Sequence, residues 1–222
     1  AITNGIDYKL WNPATDPNLA ENYSVENIDR RYLNKVDLCR RYELPPTKPI
    51  FTVVNRYLRK MGIDKVLEIL PQIMALDINL FLFGRSEEPN IAALLSQREI
   101  YPNLRIVSED EEPIFNKLLA ASDFFMAPYT HPFMGRDRRI AMRYGAVPIV
   151  RKYANELYYQ MEEIVKFRYI NMSDLPDVVA RAIELYNDKE MMDRYRSDIM
   201  RFDNSWEESA RKYEELYKKL TI

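Results

Sequence analysis

Pro128-Tyr-Thr-His-Pro-Phe-Met-Gly-Arg-Asp-Arg-Arg-Ile-Ala-Met-Arg-Tyr-Gly-Ala-Val-Pro-Ile-Val150 lies between two short apolar runs. Asp123-Phe-Phe-Met-Ala127 leads into it with the pattern of a buried strand, and Val147-Pro-Ile-Val-Arg151 ends it with a second. Between them an irregular loop turns through Gly135 into a short helix over 138–144, which stops at Tyr144-Gly145. Strand, crossover helix and strand make a βαβ unit, so the two strands run parallel.

The same alternation extends in both directions. Upstream, Ile50-Phe-Thr-Val-Val-Asn55 is a β-branched strand run, followed by strands at 78–83 and 104–107. Downstream, 167–170 is a weaker one. Helical spacing fills the gaps: 25–42 with Ile28, Tyr32, Val36 and Cys39 on one stripe, 64–76 with Pro71 expected to kink or split it, 90–98, 112–121 and 156–163. Three more helices are expected near 175–187, 189–200 and 206–220, the last with Trp206, Ala210, Tyr213, Tyr217 and Leu220 on one stripe. Short apolar strands separated by helices predict an α/β fold, a doubly wound parallel sheet of the Rossmann-like kind, with ligands beyond the carboxyl ends of the strands.

Composition narrows the function class. Basic and acidic residues nearly balance, 32 against 34, for a net charge of −2, which gives no electrostatic case for nucleic acid or an anionic membrane. No apolar run approaches the length of a membrane span, and the chain does not open with a signal-peptide pattern. The single Cys39 has no internal disulfide partner and reads as a buried thiol, so a cytoplasmic protein is expected. No Gly-rich P-loop, no Cys/His metal cluster and no Ser/His/Asp order is evident, so no cofactor and no metal are expected. His131, the only histidine, sits in the loop centre without a recognisable catalytic partner.

Five glycines in 222 residues are few, and each is expected to meet a backbone need: Gly5, Gly62, Gly84, Gly135 and Gly145. All five match glycine positions in the pattern of bacterial glycogen and starch synthases, which this chain resembles along nearly its whole length. The donor-sugar loop of that family reads P-S-x-x-E-P-C-G-L-x-Q-L, then a helix, Y-G and P-I/L-V-R. Aligning Tyr144-Gly145 with the family Y-G places Pro128 on the motif Pro and Gly135 on the motif Gly. Gly5-Ile-Asp-Tyr-Lys-Leu-Trp-Asn-Pro-Ala-Thr-Asp16 resembles the hinge segment G-I-D-x-x-x-W-N-P-x-x-D, so residues 1–24 are expected to be an interdomain hinge and lead-in, and 25–222 one nucleotide-sugar-binding domain. Val54-Asn-Arg-Tyr57 through Gly62-Ile-Asp64 resembles S-R-L-x-x-Q-K-G-x-D, and Phe202 to Tyr217 resembles F-S-W-E-x-x-A-x-x-Y-x-x-x-Y.

The resemblance implies the C-terminal half of a two-domain GT-B glycosyltransferase, with an N-terminal domain upstream as its partner, ADP-glucose or UDP-glucose as donor and an α-glucan as acceptor. Carried over residue by residue, Arg56 matches the family's catalytic Arg, while its Lys falls on Met61 and its Glu on Pro132; Lys60 is the one possible substitute for the Lys. Gly84, Gly135 and Arg136 are the remaining donor-contact candidates. Arg136, Arg138, Arg139 and Arg143 look like an anion patch, but helical spacing keeps them from sharing one ligand; Asp137 and solvent are expected to account for most of them, leaving Arg136. The family G-G-L after the 147–151 strand is replaced by Tyr153-Ala-Asn-Glu-Leu-Tyr158, and Ser108-Glu-Asp-Glu-Glu112 reads as a solvated acidic helix cap. Two lost charged hydrogen bonds, each worth about 1.5–3 kcal/mol, predict a donor site weaker by roughly two to four decades and impaired catalysis. Two other readings stay open: a divergent but active synthase, and a non-catalytic glucan-associated or regulatory pseudo-glycosyltransferase.

Overall fold

A computed structural model describes residues 2–55, 63–84, 91–108, 113–127, 135–152 and 164–220. Six strands form one parallel sheet: β1 (Ile50–Asn55), β2 (Asn79–Gly84), β3 (Leu104–Ser108), β4 (Phe124–Ala127), β5 (Val147–Arg151) and β6 (Phe167–Tyr169). Their spatial order is β3-β2-β1-β4-β5-β6. The chain builds outward from β1 to β3, then returns to the other side of β1 with β4. The winding therefore reverses between β1 and β4, the place where α/β sheets open a crevice at their carboxyl edge.

Alternation along each strand sends side chains to two cores. On one face Phe51, Val53, Leu80, Leu82, Phe124, Met126 and Ile149 pack under α2 (Ile63–Met74), α6 (Leu175–Asn187) and α7 (Lys189–Arg201). On the other, Ile50, Val54, Phe81, Phe83, Phe125 and Ala127 pack under α1 (Arg31–Arg41), α4 (Ile114–Ala121) and α5 (Arg136–Arg143). Phe51 and Phe124 stack at 4.6 Å across the β1–β4 seam, and each fully buried aromatic contributes roughly 1.5–3 kcal/mol. Two further helices, α3 (Ile91–Ile100) and α8 (Trp206–Leu220), complete the described set.

Three expectations change. The helix over 25–42 is two pieces, a 3-10 segment at Val25–Arg30, itself interrupted by non-helical geometry at Asn27, and then α1. Its stripe differs as well: Tyr32 and Leu33 are half exposed, while Arg31, Asn34, Lys35, Leu38 and Cys39 are buried. The helix through Pro71 does not split: α2 runs on through it over Ile63–Met74. Pro71 lies on the exposed side, so the hydrogen bond it cannot donate faces water, while Leu70 and Ile73 hold the helix to the core. The helix expected at 156–163 falls outside the described residues.

The lead-in is tied down along its length. Ile6 bridges Ser205 and donates its amide to the Asn204 carbonyl at 2.8 Å. At Gly5 a Cβ would meet the Ser205 and Trp206 backbone at 2.3 Å, a close approach that only glycine permits.

Candidate functional site

The carboxyl edge of the sheet lines up its strand ends in register: Asn55 pairs with Gly84, and Gly84 with Ser108. Gly84 is therefore the last residue of β2, beside the point where β1 hands the chain to Arg56. Across the switch point Val53 pairs with Met126, so the carboxyl ends of β1 and β4 lie side by side. Arg56, Lys60, Met61 and Pro132 themselves lie outside the described residues.

Gly135 is described, and it shows why glycine stands there. Its φ is +68°, left-handed backbone that a side chain disfavours. It starts α5 without contributing a capping side chain, and the first intrahelical bond runs from the Arg139 amide to the Gly135 carbonyl at 3.1 Å. The amides of residues 136–138 thus head the helix at the carboxyl edge of β4, with the geometry and dipole of an anion-binding terminus.

Residues 2–16 hold α5 from outside. The Arg136 guanidinium lies over the Trp11 ring at 5.6 Å, and that of Arg143 over Tyr8 at 4.4 Å, with an Arg143 Nη2 bond to Asn12 Oδ1 at 3.3 Å. Arg139 is 2% exposed and lines a cleft of about 250 Å³ with Asn4, Asp7, Trp11 and Trp206. Positions 136, 139 and 143 share one helix face, and that face meets the lead-in, with Arg136 also exposed to solvent. The structure therefore assigns Arg136 a stacking partner in Trp11.

Asp16 anchors the same contact. It accepts from Tyr144 Oη at 2.6 Å and from Asn116 Nδ2 at 2.7 Å. Burial, and next the Asp16 carboxylate, push the Tyr144 hydroxyl well above the ordinary phenol range. Tyr23 donates to the Tyr144 carbonyl at 2.8 Å, and burial raises its own hydroxyl to about 12.

At the opposite, amino edge of the sheet lies a charge cluster that helical periodicity did not reveal. Asp123, which precedes β4, accepts from Lys35 Nζ at 2.7 Å and from Arg196 Nη2 at 3.0 Å, and Arg31 approaches at 3.9 Å. Burial alone would raise the Asp123 carboxyl, but Lys35, Arg196 and Arg31 outweigh it and hold it below the usual range. Burial, with the nearby Arg196, lowers Arg31 to about 10. Arg31 also bonds the Tyr144 carbonyl at 3.0 Å, and Arg196 the Gly145 carbonyl at 2.9 Å, so the cluster fixes the turn that ends α5. Its distance from the carboxyl edge marks it as structural. The sequence signal was available: an Asp at the start of a buried strand needs cationic partners.

Among the described residues there is no group of three His, Cys, Asp or Glu side chains that could hold a metal, and no helix long and apolar enough to cross a membrane.

No family model matches the chain. It is 32% identical over 230 residues to a glycogen synthase of Clostridium perfringens, an alignment covering 99% of this chain and 48% of that protein. Glycogen synthase 2 of Agrobacterium fabrum is also 32% identical, over 99% of this chain and 46% of its own length. The chain thus spans about half the length of the curated relatives it matches. Among solved structures, the catalytic domain of starch synthase IV from Arabidopsis thaliana, bound to ADP and acarbose, superposes with a TM-score of 0.80 at 25% identity, covering 97% of this chain and 48% of that one. Anabaena HepE in complex with UDP and glucose shares the fold, with a TM-score of 0.66 at 16% identity, over 98% of this chain and 56% of its own.

Proposed function

This chain belongs to the glycogen/starch synthase family of GT-B glycosyltransferases, and from that premise we propose that it is the donor-binding half of a glucosyltransferase that takes a nucleoside-diphosphate glucose and builds an α-glucan. The observation that carries the reading is the junction of β4 and α5. There the strand order reverses, and Gly135 takes left-handed backbone to head a helix whose amides lie at the carboxyl edge. Transfer from a nucleotide sugar develops negative charge on the leaving diphosphate, and preorganised amides and cations at such an edge are what stabilise it. The ADP held by the starch synthase IV structure supports the same class of donor.

Within this reading Arg56 and Gly135 remain donor contacts, whereas the sugar-side carboxylate is replaced by Pro132 and the phosphate-side Lys by Met61. Transfer is consequently slow, and the sugar moiety adds little to donor affinity. Pro132→Glu restores an acceptor for sugar hydroxyls and is expected to raise affinity for ADP-glucose or UDP-glucose over the matching free diphosphate by about tenfold.

Calorimetry on the intact protein tests the function. Saturable binding of ADP-glucose or UDP-glucose that weakens in Arg56→Ala is the expected result. Glucan binding with no saturable nucleotide-sugar binding would replace this reading with that of a non-catalytic glucan-associated protein.

A further inference from the structure

We propose that Trp11 is a positioning residue for the donor edge, tying the lead-in to the starts of two helices that begin there; the inference rests on the donor-site reading above. Its indole meets Phe115 edge-on at 5.9 Å, and Phe115 packs at 5.4 Å on Phe83, the residue before Gly84. The Arg136 guanidinium lies over the same indole at 5.6 Å, one residue after Gly135. Phe115 stands in the first turn of α4 and Arg136 in the first turn of α5. One side chain therefore spans the helix starts that follow β3 and β4. Through them it reaches the two described glycines of the candidate site, Gly84 and Gly135.

The backbone that carries the indole is held within the lead-in itself. The Trp11 amide donates to the Asp7 carbonyl at 2.9 Å, and Asp7 Oδ1 accepts from the Lys9 amide at 2.7 Å. Other contacts between the lead-in and α5 fall toward the far end of that helix: Arg143 on Tyr8, and Asp16 on Tyr144. They fix where α5 ends, whereas Trp11 fixes where it begins. A displacement of the indole is thus passed to the segment that carries Gly135. Ordering of that segment by a bound nucleotide diphosphate is passed back, because coupling between two sites is reciprocal. Cation–π and edge-on aromatic contacts depend on ring orientation, so a tilted indole loses them even where apolar packing survives. Trp11 keeps the W of the family's hinge pattern, while Arg136 replaces the Leu that follows the donor-loop Gly. The link to α5 in this chain is therefore polar where the pattern has an apolar one.

The test is nucleotide titration of the intact protein, by calorimetry and by fluorine NMR after labelling with 5-fluorotryptophan. The Trp11 resonance is identified by its loss in Trp11→Phe. It is expected to shift saturably with ADP or UDP, over the concentration range in which calorimetry detects binding. Trp11→Leu is expected to weaken the nucleotide about fivefold to tenfold, with part recovered in Trp11→Phe. Tyr144→Phe, which loosens the far end of α5, should change affinity less than about twofold. Trp11→Leu combined with Arg136→Ala should bind no more weakly than the worse of the two alone, as expected of residues acting through one contact. A Trp11 resonance that stays fixed at saturating nucleotide would confine Trp11 to packing and overturn the proposal, whether or not Trp11→Leu folds, while leaving the donor site standing. Additive losses in the double variant would separate Trp11 from α5 and overturn it as well. Failure of the wild type to bind either nucleotide at millimolar concentration would overturn the donor-site reading and this inference with it.

Discussion

Asp123 is the residue on which the most charge depends. One carboxylate meets Lys35, Arg196 and Arg31 in a site closed to water. Asp123→Asn keeps the shape and removes the charge, stranding three cations, and breaking a buried pair in this way costs about 3–5 kcal/mol. The pH dependence follows from the direction of the shift. The folded carboxyl lies below its ordinary value of 3.8, so its contribution is fully present above that value and is lost as pH falls through the folded pKa. Urea unfolding of wild type and Asp123→Asn should therefore differ by several kcal/mol at neutral pH and converge below about pH 4. A gap that stays constant into acid would mean that the variant disturbs packing rather than charge.

At the scale of elements, strand positions and most helix positions among the described residues were legible because they rest on burial pattern. β1 was read to the residue, and α6 and α8 kept their predicted spans. Which face α1 buries was not legible. Hydrophobic periodicity pointed to Tyr32 and Val36, but the buried carboxylate at Asp123 recruits Arg31 and Lys35 from the neighbouring face of the helix. The grip of residues 8–16 on α5 was hidden for a similar reason: stacked arginines on Trp11 and Tyr8 look like a solvated charge run in one dimension. Donor-loop positions were placed only by motif alignment, since a proline in place of a glutamate has no periodic signature. The lead-in contact can be broken at one atom. Tyr144→Phe deletes the hydroxyl that Asp16 accepts, a bond to a carboxylate worth about 1.5–3 kcal/mol. The expected result is faster hydrogen exchange at the amides of Thr15, Leu19 and Tyr23, which are bonded within that segment, with the sheet amides changed less. Uniform loss of protection would show that Tyr144 serves the whole core instead.

For the whole molecule, what matters is how much of a transferase this chain supplies. It matches about half the length of its glycogen synthase relatives, and on the proposed reading the carboxyl edge at the β1–β4 reversal supplies one side of the donor site. A glucosyl acceptor must be held against the donor carbon within bonding reach for transfer to occur, and one wall cannot do that. The isolated 222 residues should incorporate no radiolabelled glucose into glycogen, with or without Pro132→Glu; incorporation by the isolated chain would show that one half suffices. The outer face of α8 points to where a second body would sit. Trp206, Tyr213, Tyr217 and Leu220 lie on one stripe and are 39–73% exposed, a contiguous apolar surface of the kind that marks an interaction site. Its start lies against Gly5, where the lead-in crosses Ser205. On the proposed two-domain reading the stripe is expected to be covered by the second domain. Hydroxyl-radical labelling should modify Trp206 and Tyr217 in the isolated chain and spare them in the intact protein. Equal labelling in both would place the interdomain contact elsewhere and leave the α8 stripe open to a separate partner.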